Sequence, residues 1–171
     1  MQEEEFVMGG SSADQSATVP PAATPADAIQ ARWAWVVPEI WTARMLTALQ
    51  QGVRGGRWHT LIDKVFDPLN LFTSARKGLG NAGAAGVDGQ TGEDFGEQST
   101  EELRRLHQEL REDHYRPTAV RRAWVPKPGS SEKRPLGIPA VRDRVVRTAL
   151  VHVTEPILDN TFHERSFGFR R

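Results

Sequence analysis

The sequence predicts an α+β fold, and three observations support this class. Several segments carry apolar residues at helical spacing. Two short basic segments flank a Pro-Gly-Ser turn, as in a β-hairpin. These parts follow one another as helices, loop, helix, hairpin and helix, so helices and strands are segregated rather than alternating, which is typical of α+β domains. With 171 residues, the chain is long enough for one domain with a modest core.

The first part of the chain is predicted to be a tail followed by a helical extension. Residues 1–28 contain Gly/Ser and Pro/Ala runs that bury too little apolar surface to offset chain entropy, so we expect a disordered tail. Residues 29–77 are expected to form a helical N-terminal extension, interrupted at Pro38 and by glycines after residue 51. Within it, one helix face is formed by Trp41, Met45, Leu46 and Leu49. Two shorter helices are expected near residues 61–67 and 69–77.

A glycine-rich loop over residues 78–98 separates this extension from a predicted helix over residues 99–113. Ser99 and Glu102 have the spacing of a capping box, and leucines follow at positions 103, 106 and 110. The loop contains a formal GxGxxG from Gly78 to Gly83. It is not a dinucleotide fingerprint, because residues 68–77 do not have the pattern of a strand.

The remainder is predicted to be a hairpin and a helix. Residues 118–125 alternate like a strand, Pro128 and Gly129 mark a turn, and residues 134–138 form the return strand. A helix over residues 141–155 is expected to end or kink at Pro156. Its expected buried face consists of Val141, Val145, Ala149, Leu150 and Val153.

Charge is balanced overall but unevenly distributed. The chain has 22 basic and 22 acidic residues, yet residues 116–147 carry nine basic residues and only two acidic ones. Such asymmetry favours a polyanion-binding face; the alternative is a solvated basic surface. The chain has no cysteine, which excludes a disulfide scaffold and a cysteine-based zinc site. It has no long apolar run and an acidic start, so we expect a cytoplasmic protein without membrane contact.

Several ordered motifs resemble the start of the reverse-transcriptase domain of group II intron-encoded reverse transcriptases/maturases. The resemblance covers roughly residues 38–171. The matching strings are Gly83-Ala-Ala-Gly-Val-Asp-Gly89, Tyr115-Arg-Pro117, Val120-Arg-Arg122, Pro126-Lys-Pro-Gly129, Lys133-Arg-Pro-Leu-Gly-Ile-Pro139, Val141-Arg-Asp-Arg-Val-Val146, Glu155-Pro-Ile157 and Phe167-Gly-Phe-Arg170. The resemblance implies that residues 99–171 are the fingers and the start of the palm of a right-hand polymerase fold, truncated and incomplete.

In that family the hairpin is the fingertip, whose basic residues hold the triphosphate of the incoming nucleotide. Carried over by motif, the triphosphate-binding residues are Arg121, Lys127 and Arg134. Arginine binds phosphate through a planar fork and lysine binds it as a point charge. For any one of these residues taken alone, the alternative is an exposed basic hairpin without a ligand.

The resemblance also implies contacts to RNA or template. They involve the loop beginning at Gly83, the hairpin, the following helix and the last motif. The residues are Gly83, Gly86, Arg122, Lys133, Arg142, Arg144, Arg147, Phe167 and Arg170. The alternatives are a flexible linker for the loop, solvated arginines on the helix, and a frayed terminus for the last motif.

Polymerisation in the full-length family enzyme requires Mg²⁺, which bridges the reacting oxygens. The family's metal-binding motifs, an Asp-bearing motif and Tyr-Ala-Asp-Asp, do not occur in this sequence. We therefore expect no catalytic residue and no bound metal, and a fragment that is inactive alone. The family's partners are intron RNA, template-primer and dNTP. The alternatives to the function of a reverse transcriptase/maturase fragment are a non-catalytic RNA-binding module and a non-functional remnant of a mobile element.

Overall fold

A computed structural model describes residues 29, 31–52, 60–80, 83–159, 161–163 and 165–166. The predictions for the tail and for Phe167 and Arg170 lie outside these residues. The described elements are α1 (Ala43–Gln51), α2 (Leu61–Val65), α3 (Pro68–Leu79), α4 (Gly92–Glu97), α5 (Ser99–Arg111), β1 (Arg121–Pro126), β2 (Lys133–Ile138) and α6 (Val141–Asp159). The mixture of helices and a two-stranded antiparallel sheet is compatible with the predicted α+β class.

Helix α6 is the centre of the core. It buries Val141, Val145, Ala149 and Val153 at helical spacing and packs mainly against α3, which contributes residues such as Leu71. The N-terminal segment covers the same core with its aromatic side chains, and Phe95 of α4 and Leu106 of α5 close it from the other side. Because the hairpin precedes α6 directly, the position of α6 in the core also positions the hairpin.

A buried polar cluster joins α3 to α6. The Asn70 side-chain amide donates to the Lys64 backbone oxygen at 2.8 Å and to the Ala149 backbone oxygen at 3.1 Å. His152 Nδ1 lies 3.0 Å from Asn70 Oδ1 and 3.2 Å from the Ser74 hydroxyl. The cluster therefore satisfies polar groups that would otherwise be costly to bury.

Pro156 does not end the last helix, which continues to Asp159. A proline lacks the N–H that would bond to the carbonyl four residues earlier, here His152. The indole Nε1 of Trp41 donates to that carbonyl instead, at 3.0 Å. A side chain from the N-terminal segment thus replaces the missing backbone donor. Of the two outcomes predicted at Pro156, an end or a kink, the end was wrong.

Four other local expectations differ from the structure. The capping box expected between Ser99 and Glu102 is absent, since Ser99 lies inside α5 and the N-cap of that helix, Gln98, forms no side-chain cap bond. Leu150, expected on the buried face of α6, is exposed, and His152 is buried instead. The segment predicted as a glycine-rich loop contains α4, which begins with a capping box between Thr91 and Asp94. Strand β1 begins at Arg121, since β2 ends at Ile138 and no residue beyond it pairs with Thr118.

Among the residues that the structure describes, no helix is both long enough and apolar enough to cross a membrane.

Candidate nucleic-acid interface

The hairpin presents two different faces. Arg121 pairs with Ile138 and Val125 pairs with Arg134, so both arginines lie on one face, because paired residues of an antiparallel ladder share a face and faces alternate along each strand. Arg122 and Trp124 lie on the opposite face. Lys133, which pairs with Pro126, lies there too. The predicted triphosphate-binding and RNA-binding arginines of the Val-Arg-Arg motif thus point in opposite directions.

The three residues predicted to hold a triphosphate are not equivalent. Arg121 and Arg134 lie at opposite ends of their shared face, about 13 Å apart along the strands. Both are exposed, and long arginine side chains can converge over such a face. Lys127 lies just beyond β1, at the start of the turn, where its Nζ is 2.5 Å from Glu132 Oε2. The structure therefore brings Arg121 and Arg134 to one face and gives Lys127 an ion pair at the tip.

The loop that begins at Gly83 is attached to both the hairpin and α6. Arg121 Nε donates to the Ala85 backbone oxygen at 2.9 Å. Arg144 Nη2 donates to the Ala84 backbone oxygen at 2.6 Å. Gly86 is buried against Ala140, just before α6; a Cβ on Gly86 would lie 2.6 Å from Ala140 Cα. Two predicted site arginines therefore hold the loop, and glycine is needed for its close approach.

A polar network ties the base of the hairpin to α6. The Tyr115 hydroxyl donates to Asp143 Oδ1 at 2.5 Å, and the Thr118 backbone N–H donates to Asp143 Oδ2 at 2.9 Å. Partial burial, followed by the hydrogen bond to the Asp143 carboxylate, raises the pKa of the Tyr115 hydroxyl well above its ordinary range. Asp143 thus fixes the direction in which the chain enters β1.

The three arginines predicted on α6 have different surroundings. Arg142 pairs with Glu109 of α5, and its guanidinium lies over the Tyr115 ring. Arg144 contacts the loop described above. Arg147 is exposed and lines a shallow cleft of about 410 Å³ together with Val120, Gly137 and Thr118, among others. Of the three, Arg147 has the side chain most accessible to a ligand.

Sequence reasoning missed the parts of the site that position the cations. Asp143 and Tyr115 occur in matching strings of the resemblance, but no local pattern indicates that they bond across 28 residues. The carbonyls of Ala84 and Ala85 have no side-chain signature at all. Gly83 itself is exposed, whereas Gly86, three residues later, makes the buried contact.

Mg²⁺ would need several oxygen ligands close together. Within the described part of the chain, no group of three or more His, Asp or Glu side chains is arranged to hold a metal ion.

Two known proteins are similar to about two thirds of this chain. No family model matches the chain. It is 40% identical over 116 residues to Protein YkfC of Escherichia coli (strain K12). The aligned region is 67% of this chain and 30% of YkfC. It is 33% identical over 119 residues to Group II intron-encoded protein LtrA of Lactococcus lactis subsp. cremoris. The aligned region is 64% of this chain and 19% of LtrA. The chain thus spans a third or less of these relatives.

The chain is therefore a partial homologue of a group II intron-encoded protein. It is related to the group II intron reverse transcriptases/maturases, as the motifs of the sequence indicated.

Proposed function

We propose that this chain supplies the fingers of a protein related to group II intron reverse transcriptases/maturases, and that it binds RNA and nucleotide there. The observation that carries the proposal is the basic hairpin, with Arg121 and Arg134 exposed on one face, in a chain homologous to LtrA. A polyphosphate or RNA backbone is the kind of ligand that offsets the repulsion between clustered cations. The right-hand polymerase fold is part of this proposal.

The face with Arg121 and Arg134 is the proposed triphosphate site. Arg121 is directed by its Nε bond to Ala85, which leaves the two terminal nitrogens of its guanidinium for phosphate oxygens. Arg134 can approach the same anion from the other strand. Lys127 joins them once its ammonium exchanges Glu132 for phosphate, an exchange of one exposed ion pair for a charge-assisted bond.

RNA or template is proposed to contact the loop, the second hairpin face and α6. Ala84 and Ala85 are held close to both Arg121 and Arg144, so a backbone bound by these arginines would pass beside the loop. Arg142 is proposed to act indirectly, by fixing α5 against α6 through Glu109. Each direct phosphate contact would add to the salt dependence of binding. Phe167 and Arg170, which lie outside the described residues, are included in the proposal through the resemblance of their motif.

The proposal assigns binding and orientation to these residues and no chemical step. Mg²⁺, template-primer and dNTP are proposed partners of the complete family enzyme. No step of the proposal runs through the metal. What this chain offers is a set of cations placed in advance, which lowers the cost of ordering a polyanionic ligand.

A test compares two variants of the 171-residue chain, a hairpin variant and a control. The first replaces Arg121, Lys127 and Arg134 by Ala. The control replaces Arg105 and Arg111 by Ala, because these exposed arginines lie on α5. Binding of a labelled group II intron RNA is followed by fluorescence anisotropy from about 50 to 200 mM salt.

We expect the hairpin variant to bind more weakly, with a salt slope smaller by about 0.7 to 0.9 for each phosphate that is no longer bound. We expect little change for the control. An unchanged affinity and slope in the hairpin variant would show that the basic-hairpin assignment is wrong.

A non-catalytic RNA-binding module is a second candidate, and the core favours it over a decayed remnant. Trp41, Leu71, Phe95 and Leu106 are almost completely buried, and they come from four different parts of the chain. Such packing predicts a cooperative unfolding transition, which a partly folded remnant would lack. Thermal unfolding followed by circular dichroism separates these two possibilities before any RNA is added.

A further inference from the structure

The hairpin face opposite Arg121 carries an exposed tryptophan. Trp124 is 58% exposed, and Val120, four positions earlier in the chain, is also 58% exposed. In the described part of the chain, no aromatic ring and no Arg or Lys side chain stacks on the Trp124 ring. Trp124 and Val120 together form an exposed apolar patch on this face, and such a patch beside polar residues can bind a ligand.

The residues across the strand from Trp124 and Arg122 are small or flat. Its cross-strand partner is Pro135, and the partner of Arg122 is Gly137, which has no side chain. Val120 lies over Gly137, where an added Cβ would come within 3.3 Å of the Val120 Cγ2. Small or flat neighbours leave room for a planar ligand to lie on the indole.

Cations border this face on both sides. Arg122 precedes Trp124 by two positions on β1, and Lys133 lies on β2 at the end nearer the turn. Neither side chain forms an ion pair or hydrogen bond within the described residues. The only acidic residue from 121 to 138 is Glu132, which is paired with Lys127. Within residues 121–138, no carboxylate is therefore left to pair with Arg122 or Lys133.

The cleft at the base of the hairpin extends this face toward α6. Val120 and Gly137 belong to both, and Arg147 also lines the cleft, together with Asp143, whose carboxylate is bound by Tyr115 and Thr118. Arg147 has no ion-pair partner among the described residues. The basic positions thus continue from Lys133 past Arg122 to Arg147, with Trp124 between the first two.

We propose that this face is a second polynucleotide-binding surface, which takes a single strand with a base stacked on Trp124 and phosphates at Arg122, Lys133 and Arg147. Stacking on an aromatic ring beside cations is how single strands are bound without sequence preference. The inference rests on the proposed role of the hairpin in nucleic-acid binding. It adds that the polynucleotide on the Trp124 face is a single strand and that Trp124 binds one of its bases by stacking.

The test uses unstructured RNA and DNA strands of the same sequence, about 12 nucleotides long, within the usual site size of such surfaces. Trp124→Leu is compared with Trp124→Phe, which keeps a stacking ring, and with Phe72→Leu. Phe72 is also exposed but lies on α3, away from the hairpin. Fluorescence anisotropy gives affinity and salt slope, and thermal melting gives stability.

We expect Trp124→Leu to weaken binding about 5- to 100-fold with an unchanged salt slope, since stacking involves no counterion release. Trp124→Phe should retain most of the affinity, and Phe72→Leu all of it. Arg122→Gln with Lys133→Gln should lower the slope by about 0.7 for each phosphate that these side chains no longer bind. A weaker DNA than RNA interaction would identify RNA as the ligand, and equal affinities would identify single strands in general.

Equal binding by Trp124→Leu and the native chain would overturn the inference, and so would a loss of affinity in Phe72→Leu of the same size. Binding of dNTP separates the two faces: Trp124→Leu should leave it unchanged, whereas the Arg121, Lys127 and Arg134 triple variant should abolish it. If Trp124→Leu loses single-strand binding and keeps dNTP binding, the single-strand site on the Trp124 face is supported. If only the triple variant shows a loss, and the loss is of dNTP binding, only the triphosphate site on the Arg121 face is supported. If Trp124→Leu lowers the melting temperature, the salt slope of the Arg122→Gln, Lys133→Gln variant becomes the test: an unchanged slope would overturn the inference.

Discussion

Gly86 is predicted to be the least tolerant glycine of the described chain. An ideal Cβ at this position would lie 2.6 Å from the Cα and 2.7 Å from the N of Ala140. Both contacts are with backbone, and Ala140 is fully buried at the start of α6. Neither side can rotate away as a flexible side chain would, so Gly86→Ala must displace the loop from the helix.

The displacement carries a cost in stability that can be estimated. Overpacking a tight site by one methyl group typically costs about 1 to 3 kcal/mol. For a chain of this size, each kcal/mol corresponds to about 2 to 4 °C in melting temperature. Gly86→Ala should therefore lower the melting temperature by about 2 to 12 °C. Loop displacement also strains the bonds from Arg121 to Ala85 and from Arg144 to Ala84.

Gly78→Ala is the matched control, because it is the same chemical change with the opposite expected sign. Gly78 lies inside α3, and a Cβ there would meet nothing within 4 Å. An alanine in a helix is favoured over glycine by about 0.5 to 1 kcal/mol, so this variant should melt slightly higher. Differential scanning calorimetry on both variants is sufficient. A Gly86→Ala melting temperature equal to or above that of the native chain would refute the close contact with Ala140.

Two further substitutions test the networks that hold the hairpin and the core. Because burial and the bond to Asp143 raise the pKa of Tyr115, the native chain should keep this stabilisation below about pH 10 and lose it as the pH rises further. Tyr115→Phe should lack that alkaline loss, as urea midpoints at about pH 8 and 10.5 would show; parallel curves would contradict it. Asn70→Ala removes a donor from the part-buried Lys64 and the buried Ala149 backbone oxygens and should cost about 2 to 4 kcal/mol in urea unfolding, whereas Gln108→Ala on the surface should cost under about 0.5.

Much of the secondary structure followed from local pattern. The leucine spacing predicted α5 to within two residues, and the Pro-Gly turn between alternating basic segments predicted both strands. Helix α3 was expected over residues 69–77 and was found within two residues at each end; the structure shows Asp67 as its N-cap and Pro68 at its first position. These features depend on interactions between residues close in sequence, which the order of residues contains directly.

Other features depended on contacts that sequence spacing does not contain. Pro156 is accommodated inside α6 because Trp41, far away in the chain, donates to the carbonyl that the proline leaves unbonded. His152 is buried because Asn70 and Ser74 satisfy it. Burial of a polar residue depends on whether a partner is present in the folded chain, so a hydrophobic pattern alone assigned Leu150 to that face instead.

The same division holds for the candidate interface. By itself, the sequence predicted which cations belong to the candidate site, since the motifs contain Arg121, Arg134 and their neighbours, and the alternation of a strand separates Arg121 from Arg122. Only the tertiary structure decided what each cation does: Arg142 bonds to Glu109, Arg144 to a loop carbonyl, and Arg147 stays open to a ligand. The physical reason is that a charge is specified by residue type, but its availability is specified by the partners that folding places beside it.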